Sequence, residues 1–162
     1  MTLTSRVNLG VRGLPRIVIY CAGLVPAIWL FWRGATGGLG PEPISALEHE
    51  LGLLALQLVV ATLVVTPLRR ATGVTLICHR RALGVLAFIY MVLHLAVWLF
   101  LDIRDPALIL EDLTERPYIM VGMGALALAL PLAATSNDWS VRRLGPAWRR
   151  LHRLAYPMAL LA

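Results

Sequence analysis

Residues 80–101 read RRALGVLAFIYMVLHLAVWLFL, and this stretch decides the fold. Behind the arginine pair, about 20 apolar residues run unbroken as far as Asp102. At a rise of 1.5 Å per residue that length crosses the roughly 30 Å hydrocarbon core of a bilayer. One residue in the run can ionise, His94. An ionisable side chain at bilayer depth is costly and is a functional candidate by default.

The rest of the chain has the same character. Of its 162 residues 59% are hydrophobic and 15% charged, and the mean hydropathy is +0.75. That is a membrane composition rather than a soluble one. All 15 basic residues are arginine, and the net charge is +6. They sit in short clusters between apolar runs, which argues for orientation in a membrane and against nucleic-acid binding. Cys21 and Cys78 form no metal or disulfide spacing.

Outward from residues 80–101, the apolar runs predict spans at about 17–33, 51–68, 82–101 and 118–135, with an incomplete fifth at 151–162. The first follows Arg6, Arg12 and Arg16. It reads as a retained helix rather than a signal peptide, because Trp29, Phe31 and Trp32 form an interfacial belt and no small-residue cleavage site follows. Pro26 is expected to kink it. Residues 34–50 read as an acidic turn-rich loop, and Pro67 as the end of the second span. Residues 106–113 read as a short interfacial helix. Gly122 and Gly124 read as sites of close helix approach in the fourth span. The fifth run has 12 residues, about 18 Å of helix, too short to cross, and is expected to be truncated.

Charge sets the orientation. With the N-terminus, the 69–81 loop and the 136–153 loop on one side, that side holds 12 arginines and one acid, Asp138. The other side holds three arginines and eight acids. The positive-inside rule then places the N-terminus in the cytoplasm. The expected fold is an all-α polytopic transmembrane bundle, one domain over 1–162, with four complete spans and a truncated fifth.

Four histidines are available for chemistry: His49, His79, His94 and His152. His49 and His79 lie in loops on opposite faces, where a solvated side chain is the ordinary reading, and they are weak ligand candidates. His152 opens the fifth run, so its ring can point into the bundle. No acid lies inside any span, which disfavours a proton relay at His94. A metal or haem iron suits a neutral imidazole better. His94 lies 14 residues beyond Arg80, about 21 Å deeper, and within about 40° of it around the helix. His152 belongs at the arginine-rich face. Two imidazoles on one iron need nitrogens about 4 Å apart, so His94 and His152 are expected to serve two separate sites.

Four segments carry a family likeness: LEHELGLLALQLVVATLVVTPLRRATG, HRRALGVLAFIYMVLHLAVW, ERPYIMVG and TSNDWSVRRLGPAWRRLHRLAY. They resemble the MsrQ (YedZ) family, the haem-binding membrane subunits of the bacterial periplasmic methionine sulfoxide reductase system. That family lies within a ferric-reductase-like transmembrane superfamily. The resemblance covers essentially the whole chain in order. It implies b-type haem, with FMN also attributed to the family. It implies a multi-pass protein of the bacterial inner membrane that transfers electrons and is not itself the catalytic subunit. Electrons would come from the quinone pool or a cytosolic flavin reductase. They would go to the periplasmic molybdopterin subunit MsrP, a heterodimer partner that repairs oxidised methionines.

On this resemblance His94 and His152 are axial haem ligands at separate sites. A further family histidine would fall at position 165, beyond Ala162, as the partner of His94. In the wider superfamily a histidine would stand at Arg80. His79 is one residue early and about 60° round, a weak partner for His152. His49 also matches a family histidine. The arginine-rich loops with Trp139 and Trp148 would meet anionic lipid, or else the phosphate of FMN. Rival readings are another ferric-reductase-like oxidoreductase, reducing metal or oxygen, and a non-redox membrane scaffold.

Overall fold

The computed structural model describes residues 3–103, 109 and 113–162. Among these residues the structure is helical and contains no strand. The helices are α1 (Leu3–Gly13), α2 (Arg16–Ala35), α3 (Pro43–Thr72), α4 (Arg80–Val97), α5 (Pro117–Ala134), α6 (Asp138–Leu144), α7 (Pro146–Leu151) and α8 (Ala155–Leu161). A π turn, Trp98–Asp102, continues α4, and a 3₁₀ turn, His152–Leu154, precedes α8. Four stretches are long and apolar enough to cross a membrane: α2, α3, Ile77–Asp102 and α5. The chain is a multi-pass membrane protein.

The antiparallel pair α3 and α4 is the spine, with α2 on one flank and α5 and α8 on the other. Leu51, Val59, Leu86 and Tyr90 are fully buried along it. Two apolar clusters result. Ala27, Leu30, Leu47, Leu51, Ala55, Tyr90 and Val97 form one; Val59, Ala87, Ala129, Leu132 and Met158 form the other. Leu58 and Met91 pack against both.

α2 joins the spine through a backbone feature next to Pro26. The Tyr90 hydroxyl donates to the Gly23 carbonyl at 2.7 Å and accepts from the Ala27 amide at 3.1 Å. Those two groups are spaced as a helical i, i−4 pair, so the phenol serves both in a region where lipid offers no substitute. Gly23 leaves no room for a Cβ against Leu86.

Two helix ends differ from the sequence reading. α3 starts at Pro43, inside the segment read as a loop, because proline in the first turn needs no amide partner. Ile44 and Leu47 carry its apolar stripe on into the first cluster. Pro67 does not end the helix, which runs on to Thr72. Gly73 stops it in the left-handed region, φ +74°, with its amide on the Arg69 carbonyl at 3.0 Å. Residues 106–113, expected as an interfacial helix, lie outside the described residues except for 109 and 113.

At the arginine-rich face α1 is pinned to the loop before α4. Asn8 donates to the Gly73 carbonyl at 3.1 Å and accepts from the Thr75 amide at 2.9 Å. Asn137 caps α6 by accepting from the Ser140 amide at 2.8 Å. Arg81, at the start of α4, forms an ion pair with Asp138, at the start of α6.

Candidate functional site

Two cavities among the described residues share α4 as a wall. One, of about 270 Å³, is lined by Glu48, Gly52, His94, Trp98 and Gly122 among others. The second, of about 540 Å³, lies at the arginine-rich end and includes Arg80, Arg81, Trp148, Arg149, His152 and Arg153. Met91 lines both. His94 and His152 therefore face different cavities, and the fold does not bring them together.

His94 is held from α3. Its Nδ1 lies 2.9 Å from the Glu48 carbonyl, which can only accept, so Nδ1 carries a hydrogen, and in the neutral ring the lone pair is on Nε2. Gly52 makes this approach possible: a Cβ there would lie 3.2 Å from Nδ1. A neutral imidazole with its tautomer fixed by a carbonyl on the far nitrogen is the usual preparation of a metal ligand. Trp98 lies one helical turn beyond His94. It is 7% exposed, and its indole N–H has no acceptor among the described residues.

His152 is held from α5. Its Nε2 lies 3.1 Å from the Thr135 hydroxyl, and its ring stacks on Trp148 with centroids 3.9 Å apart. The Trp148 indole donates to the Thr135 carbonyl at 2.9 Å. His152 lies outside the four crossing helices. Burial first, and then the Arg81 and Arg80 charges, lower its pKa below the ordinary imidazole value and favour the neutral ring. Asp138 is held below the usual carboxylate range by the hydrogen bond and charge of Arg81.

The two weaker histidines are turned elsewhere. His79 is buried, with Nε2 donating to the Val11 carbonyl at 2.7 Å and Nδ1 without a partner. Neither it nor exposed His49 lines either of these two cavities. Among the described residues no three His, Cys, Asp or Glu side chains cluster as a metal site.

The sequence reading missed Glu48, Gly52, Thr135 and Trp148 as supports of the two histidines. Glu48 acts through its backbone, which residue type does not reveal. Gly52 did carry a signal, a lone glycine within an apolar helix. That signal was assigned instead to Gly122 and Gly124. A Cβ at Gly122 would meet nothing within 4 Å, and Gly124 has ordinary contact with Leu161 at 3.6 Å.

Residues 50–162 match the family model described as the ferric reductase like transmembrane component. The chain belongs to that family. Within the ferric-reductase-like proteins it is 50% identical, over 140 residues, to proteins from Brucella ovis, Brucella canis and Brucella suis. Each is named protein-methionine-sulfoxide reductase heme-binding subunit MsrQ. The match covers 86% of this chain and 64% of each relative, so the chain spans somewhat under two thirds of their length. The MsrQ likeness read from the motifs is borne out by this identity. No solved structure matches the chain.

Proposed function

We propose that the chain is the haem b-binding membrane subunit of a protein-methionine-sulfoxide reductase system. It sits in the bacterial inner membrane with its N-terminus in the cytoplasm. It passes electrons from the quinone pool, or from a cytosolic flavin reductase, to the periplasmic molybdopterin subunit MsrP. The observation that carries this reading is His94, with Nδ1 bonded to the Glu48 carbonyl and Nε2 left free in a largely apolar cavity. A bound haem supplies reversible one-electron exchange at iron.

The chain's residues provide place and environment. His94 would hold the haem iron through Nε2, and Gly52 leaves room for its ring. Ala55, Leu56, Leu95 and Leu126 wall the cavity with hydrocarbon and exclude water. His152 belongs to a second site nearer the cytoplasm, separated from the first by Met91. Around it Arg80, Arg81, Arg149 and Arg153 gather positive charge at the inner face, suited to anionic lipid headgroups. An FMN phosphate, suggested by family likeness alone, would meet the same arginines. Methionine chemistry takes place on the partner.

An absorbance spectrum of the purified protein tests the reading. A Soret band is expected, with bound haem at least halved by His94→Ala. Absence of a Soret band from the native protein would overturn it. Co-purification with a secreted molybdopterin reductase tests the partner separately.

A further inference from the structure

His94 and His152 are held by opposite nitrogens, and the difference follows from their partners. The Glu48 carbonyl accepts from His94 Nδ1 and leaves Nε2 free. At His152 the bonded atom is Nε2 itself, 3.1 Å from Thr135 Oγ1. The Thr135 hydroxyl has one hydrogen, and it is spent on the Pro131 carbonyl at 2.6 Å. Toward His152 the oxygen can therefore only accept. His152 is thus protonated at Nε2, and its lone pair sits on Nδ1.

Trp148 locks this arrangement from two directions. Its ring stacks on the imidazole at 3.9 Å between centroids, and its N–H holds the Thr135 carbonyl at 2.9 Å. Thr135 is itself fixed at the end of α5, its amide on the Pro131 carbonyl at 3.1 Å. The hydroxyl cannot swing away without losing its own bond to Pro131.

We propose that Thr135 is a latch on the inner histidine, a positioning residue that competes with iron for His152 Nε2. The inference rests on the haem reading above and deepens it. One nitrogen offers either a proton to Thr135 or a lone pair to iron, so the two bonds exclude one another. Binding iron through Nε2 requires the ring to turn off Thr135 and its Nε2 proton to move to Nδ1 or to solvent. Among the described residues His94 Nε2 meets no such competitor. The two sites therefore fill in order, the His94 cavity before the His152 cavity, and Thr135 sets the gap between them.

The test uses the full chain carrying His94→Ala, so that haemin reports the His152 cavity alone. Thr135→Val removes the hydroxyl at near-constant volume and is expected to tighten haemin binding about 2- to 10-fold, the range that one net hydrogen bond supplies. Thr135→Ser keeps the acceptor and should bind as the parent does. Equal or weaker binding by the valine variant would overturn the latch and make Thr135 a simple support.

¹⁵N shifts of the imidazoles, measured on protein produced without added haem, decide the same point without any ligand. His152 should be the Nε2–H tautomer and His94 the Nδ1–H tautomer, and Nδ1–H at His152 overturns the proposal. If the native chain takes up no haemin at either site, the haem reading fails instead. Haemin bound by the native chain, but no tighter with valine at 135, sinks the latch alone.

Discussion

At position 52 a side chain as small as a methyl group already presses on the His94 ring. A Cβ there would sit 3.2 Å from His94 Nδ1, closer than ordinary contact, so the ring has to move by a few tenths of an ångström. That movement lengthens the 2.9 Å bond to Glu48, which fixes the tautomer. Gly52→Ala should therefore lower bound haem several-fold, consistent with loss of about 1 kcal/mol from one hydrogen bond. Gly52→Leu should remove haem from this site. Haem per protein, read from the Soret-to-protein absorbance ratio, checks both; an unchanged ratio in the leucine variant would refute the role given to Gly52. Tyr90 offers a second test. Tyr90→Phe deprives the Gly23 carbonyl and Ala27 amide of their shared partner, and should cost about 1–3 kcal/mol. Unfolding in mixed detergent micelles measures it. His94 was legible in the sequence because it alone ionises within its apolar run. The Tyr90 hydroxyl was not, since its partners are backbone groups 67 and 63 residues away and no residue pattern encodes them.

Helices as elements were readable because spanning a bilayer demands a length and composition that few other structures share. Their ends obeyed local chemistry that hydropathy does not register. Pro43 opened α3 early, and Pro67 was carried through because a membrane helix tolerates one missing amide. The connections between helices were still less legible. Arg81 and Asp138 are 57 residues apart in sequence, yet they tie the start of α4 to the start of α6. This tie has a defined pH window. The Arg81 hydrogen bond depresses the Asp138 pKa in the folded state. Its stabilising effect is therefore complete above the unfolded carboxylate value of about 3.9 and fades as pH falls through the lower folded value. Protection of residues 138–144 against hydrogen exchange, taken relative to the intrinsic rate at each pH, should hold from neutral pH down to about 4 and fall below it. Asp138→Asn should show the lower protection at every pH. Because the pair is exposed, added salt should produce part of the same effect.

For the whole molecule, the arrangement of charge carries information that packing does not. The helices would pack equally well with either face toward the cytoplasm. It is the 12 arginines and single acid on one face, against three arginines and eight acids on the other, that choose. On the function proposed above, the same asymmetry puts the His152 cavity, with Arg80, Arg81, Arg149 and Arg153, on the side from which electrons would enter. It leaves the His94 cavity toward the side where a periplasmic acceptor would dock. On that proposal the direction of electron flow depends on the topology, and the native cysteines can report it. Cys78 is exposed in the turn Ile77–His79, on the arginine-rich face. Cys21 is exposed on α2, within a stretch long and apolar enough to cross a membrane, where lipid would keep a water-soluble reagent from it. A membrane-impermeant maleimide should label the protein in inverted inner-membrane vesicles and leave it unlabelled in intact spheroplasts. Cys78→Ser should abolish that labelling, whereas Cys21→Ser should not. Labelling of Cys78 from the spheroplast side alone would reverse the topology, and with it the assignment of His152 to the entry side and His94 to the exit side.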